Sequence, residues 1–189
     1  MRIILAGKTG SGKDVVGEYL ETTYGFKRYS FADKIKEIAS EMFPESFQDA
    51  CKPRRLLQEL GSTLRTLDPK VWERFVFRKI DAQKPSHAVI TDCRLARELN
   101  SAAMYNFIPV WIGCRDDVRI RRVIKRDNTI PTKDELQHET EQELQPEMFT
   151  IKIDNSGNIL DTYQQIDELI FSLENPQYIM PTIVINIQA

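Results

Sequence analysis

Eight residues near the start of the chain, Gly7-Lys8-Thr9-Gly10-Ser11-Gly12-Lys13-Asp14, fit the spacing GxxxxGK. Glycines at these positions let backbone N–H groups converge on phosphate oxygens. Lys13 adds a cation for the β- and γ-phosphates, and the N-terminus of a following helix adds its dipole. The chemistry implied is the binding of ATP with Mg²⁺. A glycine-rich turn between a strand and a helix is the plain alternative. The apolar run RIILA on one side and a helical pattern on the other favour the phosphate cradle. Asp14 stands where a hydroxyl residue normally ligates Mg²⁺. Its carboxylate would hold the ion directly, hold it through water, or simply complement the helix N-terminus.

Three further groups have the right types for phosphoryl transfer. Asp92 ends an apolar strand (HAVIT), where a carboxylate would order Mg²⁺ waters or orient a substrate hydroxyl; alternatively it caps the next helix. Arg94, Arg55 and the adjacent Arg54 suit an acceptor phosphate, because a guanidinium binds phosphate through two parallel hydrogen bonds. Lys36 would reach the same phosphate, Asp33 is the expected N-cap of its helix, and Gln58 or Glu59 would touch a base or sugar. Arg115, Arg119, Arg122 and Arg126 are spaced by four, three and four, so one helical face would carry all of them. A triphosphate beneath that stripe would relieve its repulsion, as in an arginine lid, with Arg119 and Arg122 facing the transferring group. Pairing with Asp116, Asp117, Asp127 or the acidic stretch 135–147 is the alternative. No nucleophile is needed for this chemistry. Of the two histidines, His87 reads as structural and His138 as non-catalytic; Cys93 reads as a small filler, close enough to the site for thiol reagents to inhibit.

These residues must be held by alternating elements. Apolar runs at residues 2–6, 26–31, 87–91, 107–113 and 149–153 read as strands. Helical periodicity covers residues 13–24, 32–43, the run from Pro53 towards Gly61, the run opened by Asp68-Pro69, the stretch to about Tyr105, 116–126 and 159–173. This predicts an α/β P-loop kinase fold: a five-stranded parallel sheet, order 2-3-1-4-5, flanked by helices. Residues 1–175 form the expected single domain, with helical insertions at about 32–83 and 115–146 at the carboxyl edge of the sheet, where ligands of such folds bind. Residues 176–189 form a tail whose run TIVINI alternates as a half-buried strand. It is expected to pair with an edge of its own sheet or with the tail of a second copy, making a homodimer.

The 189 residues suffice for one hydrophobic core. With a net charge of −2, no global attraction to nucleic acid or membrane is expected, so an anion site must be built locally. Three cysteines without CxxC spacing, no signal-like start and no long apolar run fit a cytoplasmic protein.

Four segments taken together, SGKD (11–14), SFADKIKE (30–37), RRLLQELG (54–61) with DPKVW (68–72), and ITDCRLARE (90–98), resemble phage-type deoxynucleoside monophosphate kinases. HETEQEL (138–144) and KIDNSG (152–157) are similar to that family's late segments, and the resemblance spans residues 1–173. Phosphomevalonate kinases, with a GKD loop and a DxR element, are similar at a greater distance. The resemblance implies transfer from ATP to a (deoxy)nucleoside monophosphate, with nucleotides as the small-molecule partners. It puts Arg94 in the DxR element and Arg55 in the RRLLQ element. The donor side is then residues 7–14 with Arg119; the acceptor side is Asp33, Lys36, Arg55, Gln58 and Arg94; Asp14 and Asp92 serve Mg²⁺. A kinase of another small metabolite and a slow nucleotide-dependent switch are the alternative functions.

Overall fold

The computed structural model describes residues 1–48, 53–128, 130–132 and 142–177. Five strands, β1 (Arg2–Ala6), β2 (Lys27–Tyr29), β3 (Ala88–Cys93), β4 (Ile108–Gly113) and β5 (Ile151–Asp154), form one sheet in the order β2-β3-β1-β4-β5. Every pairing is parallel, with Ile3 opposite Val89 on one side and Ile108 on the other. Among the described residues, seven α-helices surround it: α1 (Lys13–Tyr24), α2 (Asp33–Met42), α3 (Arg54–Leu67), α4 (Val71–Gln83), α5 (Ala96–Met104), α6 (Asp116–Asp127) and α7 (Ile159–Glu174).

The alternation of β1 divides the core. Ile3 and Leu5 pack with Val16 and Leu20 of α1 and Ile166, Leu169 and Ile170 of α7. Ile4 and Ala6 face the other way, onto Ile35, Trp72, Val76, Phe77 and Ile80 of α2 and α4. A strand buried on both faces is what an unbroken apolar run such as RIILA requires. Gly25 ends α1 in the left-handed region at φ 69°, and the N–H groups of Gly25 and Phe26 donate to the carbonyls of Glu21 and Leu20.

The helical segment between β2 and β3 departs from the sequence reading in three places. Helix α3 does not stop at Gly61 but runs to Leu67. Gly61 is buried where α2 crosses: a Cβ there would lie 3.1 Å from Ile35 Cδ1, and its carbonyl accepts a hydrogen bond from Trp72 Nε1 at 3.0 Å. Close approach, not termination, is the reason for this glycine. Pro53 sits at the N-cap position of α3 rather than in its first turn. Asp68 closes α3, its side chain accepts from the Lys70 N–H, and α4 starts only at Val71. The tail run 182–187, and with it the expected pairing or homodimer, lies outside the described residues. So do His138, Cys51 and most of the acidic stretch beyond α6. Among the described residues no helix is long and apolar enough to cross a membrane.

Candidate active site

The loop between β1 and α1 sits at the carboxyl edge of the central strand, and its backbone is committed to a cradle. Gly7, Gly10 and Gly12 have φ of 146°, 83° and 94°, a region that side chains disfavour. A Cβ at Gly10 would lie 2.5 Å from the Arg119 carbonyl oxygen, so helix α6 leans directly on the loop. Lys13, with 8% of its surface exposed, donates from Nζ to the carbonyls of Gly7 at 2.6 Å and Lys8 at 3.1 Å. The ammonium thus spans the mouth of the loop. The Ser11 hydroxyl is buried against Gly7 and, among the described residues, is one of few buried side-chain polar atoms that find no hydrogen-bond partner. A buried loop hydroxyl without a partner, inside a ring of positive-φ glycines, fits an incoming phosphate oxygen. Lys8 and Thr9 complete the loop, and Thr9 offers its carbonyl to Arg119 Nη1 at 3.4 Å.

Asn155, just past β5, holds this loop from the other side. It is 2% exposed; its Nδ2 donates to the Ser11 carbonyl at 2.8 Å, and its Oδ1 accepts from Thr162 Oγ1 at 3.0 Å. Its own carbonyl accepts from Arg122 Nη1 at 2.9 Å. The sequence reading quoted residues 152–157 only as a family-like segment and gave Asn155 no role.

The arginines of α6 divide in two. Arg119 is 5% exposed and bonds Asp116 Oδ1 at 2.6 Å, which holds the Asp116 carboxyl below its ordinary range. Arg122 reaches Asn155 and the Cys114 sulfur. Arg115 and Arg126 instead pair at the surface with Asp117 and Asp127. The stripe is therefore not one common face over the loop: two members reach the loop side and two are compensated locally.

On the β3 side, Asp92 accepts three hydrogen bonds: from Ser30 Oγ at 2.6 Å, from the Phe31 N–H at 2.9 Å and from the Ala32 N–H at 3.0 Å. It holds the backbone that leads from β2 into α2, rather than the helix that follows it. Asp33 is accordingly not an N-cap. Ala32 holds that position without a side-chain cap, and Asp33 lies in the first turn, 3.2 Å from Lys36 Nζ. Lys36 is thus turned along its own helix.

Arg55 lies at the surface. Its side chain is 91% exposed and pairs with Glu59, one turn on. Gln58 is exposed as well. Arg54 points inward and forms an ion pair with Asp127, joining the start of α3 to the end of α6. Arg94 is half-buried at the head of the β3–α5 turn, with its N–H donating to Glu98 Oε2 at 2.8 Å.

Glu98 is the second residue missed. It is 3% exposed, takes the N–H groups of Arg94 and Leu95 on one oxygen, and has Arg65 Nη2 3.7 Å from the other. Burial pushes its carboxyl up to about 7, against the pull of the two N–H groups and Arg65; the charge of Asp92 adds to the rise. Beside it Glu73, 1% exposed, has Arg97 Nε 3.5 Å away. Glu98 closes the quoted segment ITDCRLARE, but its N-cap partner is Leu95, so the Ser/Thr signature of a capping box is absent. Cys93 is fully buried and its thiol is pushed well up, by burial first and Glu98 next. That corrects the expectation of a reagent-sensitive thiol there.

Asp14 carries an open carboxylate, 80% exposed, with Arg28 Nη2 3.9 Å away. Among the described residues no three His, Cys, Asp or Glu side chains cluster as a metal site. An ion here would take most of its ligands from phosphate and water, as Mg²⁺ does at such loops.

Residues 3–145 match the family model described as an AAA domain. A cytidylate kinase of Methanosarcina barkeri is 24% identical over 143 residues, 76% of this chain and 72% of that protein. Among solved structures, a gluconokinase from Sinorhizobium meliloti aligns with a TM-score of 0.58 at 17% identity, covering 94% of this chain and 97% of that one. A shikimate kinase from Acinetobacter baumannii, solved with shikimate, aligns at 0.56 and 22% identity, covering 92% and 94%. With its glycine loop, its parallel sheet order and a model match over most of its length, the chain belongs to the AAA domain family and has the fold of the P-loop kinases of small metabolites and nucleotides.

Proposed function

We propose that the chain transfers the γ-phosphoryl group of ATP to a (deoxy)nucleoside monophosphate, giving ADP and the diphosphate. The observation that carries this reading is a second set of half-buried arginines, Arg54 and Arg94, on elements separate from the phosphate loop. A protein that only binds or hydrolyses a triphosphate has no need of a second anion site. The relationship to a cytidylate kinase supports the nucleotide as acceptor.

Residues 7–14 cradle the triphosphate, with Lys13 leaving the Gly7 and Lys8 carbonyls for the β- and γ-phosphates. Arg119 and Arg122, on an α6 that acts as part of a lid over about 115–146, neutralise charge on the transferring group. Arg94 and Arg54, the latter on an acceptor-binding insertion over about 32–83, hold the acceptor phosphate. Asp33, Lys36, Arg55 and Gln58 have weaker claims, since each is turned outward or along its own helix. Mg²⁺, if bound, would supply charge neutralisation at the phosphates. Asp14 fits it better than Asp92, whose oxygens are already engaged with Ser30, Phe31 and Ala32. An acceptor phosphate oxygen bonds to the γ-phosphorus as the bond to the β,γ-bridging oxygen breaks, and ADP leaves with that electron pair.

The test is coupled detection of ADP release over the common ribo- and deoxynucleoside monophosphates, together with phosphomevalonate, shikimate and gluconate. Acceptor-dependent turnover with one or more nucleotides is expected. Turnover with a non-nucleotide alone, or slow hydrolysis that no acceptor stimulates, overturns the reading.

A further inference from the structure

The buried carboxylate of Glu98 touches both elements that carry the acceptor-side arginines. One oxygen holds the Arg94 and Leu95 N–H groups at 2.8 and 3.0 Å, fixing the turn from which the Arg94 side chain departs. The other lies 3.7 Å from Arg65 Nη2, on α3, the helix that begins with Arg54. We infer that Glu98 is a positioning residue, which sets the spacing between Arg94 and α3 and thereby the geometry in which the acceptor phosphate is held; this rests on the assignment of Arg94 and Arg54 to that phosphate.

A helix cap alone does not account for the site. A third-position glutamate that reaches back to the cap N–H normally lies at the surface, where its charge is solvated at little cost. Here the charge is 3% exposed, and burying a carboxylate is expensive unless the ion is well paired. Its surroundings are not built for stability. Arg65 Nε, Arg97 Nε and both oxygens of the neighbouring Glu73 are buried without hydrogen-bond partners. A glutamine would cap the same turn without bringing charge inside. What the carboxylate adds is a second oxygen directed at α3, so that the turn and the helix are referred to one rigid group. Phosphoryl transfer is sensitive to placement of this kind, since an error of about 1 Å in a bound group costs on the order of a hundredfold in rate.

The experiment compares wild type with Glu98→Ala, Glu98→Gln, Arg65→Met and the Glu98→Gln/Arg65→Met double variant, on whichever acceptor in the panel above gives the best turnover. Glu98→Ala is expected to raise the acceptor KM about tenfold or more while the ATP KM moves by less than about twofold. Glu98→Gln keeps the cap and loses the tie to α3, so it should fall between the two. Arg65→Met should add little on top of it, since both remove one contact. If Glu98→Ala unfolds, the glutamine variant and the cycle carry the test. Equal shifts in both KM values, no shift in either, or full additivity of Arg65→Met with Glu98→Gln would overturn the inference. If the best acceptor is not a nucleotide, the nucleotide reading fails, and the Glu98 comparison is still decided on that acceptor. If nothing in the panel is phosphorylated, both fail.

Discussion

Asn155 donates from Nδ2 to the Ser11 carbonyl at 2.8 Å, tying the end of β5 to the middle of the phosphate loop. Both residues are buried, and the same amide also accepts from Thr162. Replacing Asn155 by Ala leaves the Ser11 carbonyl and the Thr162 hydroxyl without these partners, at a cost of about 1–3 kcal/mol for each buried group left unsatisfied. Asn155→Ala should therefore lower the urea midpoint and weaken ATP binding, with the acceptor KM little changed. Equilibrium unfolding and titration with a fluorescent ATP analogue measure the two effects.

Lys13→Ala removes the ammonium placed across the loop mouth. Phosphoryl transfer should fall on the order of a hundredfold or more, because a preorganised charge is lost from a partly desolvated site. The fold should persist, since the Gly7 and Lys8 carbonyls that Lys13 Nζ bonds belong to the same loop. Turnover near that of wild type, with an unchanged circular dichroism spectrum, would place the donor elsewhere.

Arg94→Ala and Arg54→Ala should each raise the acceptor KM or lower kcat while ATP affinity holds. Arg55→Ala, which removes a 91% exposed side chain, should change neither by more than about twofold. Steady-state kinetics with each substrate varied in turn distinguish the three. A loss confined to Arg55→Ala would reverse the assignment made here.

Stability should carry a signature of Glu98. Its carboxyl is raised from 4.5 to about 7 in the folded chain, so the folded state binds that proton more tightly than the unfolded state. The contribution is complete below about pH 4.5 and is lost as the pH rises through about 7. Burial sets most of the shift, the charge of Asp92 adds to it, and the Arg94 and Leu95 N–H groups and Arg65 oppose it; Glu73 and Arg97 pair with each other nearby. In Glu98→Gln the slope across this window should be smaller than in wild type, as read from urea unfolding free energies at a series of pH values. Identical slopes would mean that Glu98 ionises as an ordinary surface glutamate does.

The elements that make the donor side were legible because their information is local. RIILA, the glycine spacing and the helix over residues 13–24 lie within one stretch, and strand order follows from regular alternation. What escaped was decided at long range. Whether Arg54 or Arg55 points inward depends on where the end of α6 comes to rest, with Asp127 meeting Arg54. Gly61 reads as a stop until α2 is seen lying across it. For Asp92 the sequence offers a Mg²⁺-side role or a cap on its own following helix, because nothing in it says that residues 30–32 run alongside. Glu98 and Asn155 have their meaning only through partners on other elements.

The place of β1 in the middle of the sheet governs how the chain can assemble. Ile3 pairs with Val89 and with Ile108, residues 86 and 105 positions further on, and the loop that follows β1 is held by Asn155. At roughly 5–20 residues per second of synthesis, a growing chain carries RIILA for roughly 5–20 s before its second neighbour exists. Loop closures of that length make folding slow compared with helical bundles of similar size. An uncovered apolar strand during that interval is a natural client for a chaperone. A nascent chain should also acquire its grip on the triphosphate only after residue 155 has left the ribosome. Nucleotide would then stabilise the finished fold without assisting its earlier steps.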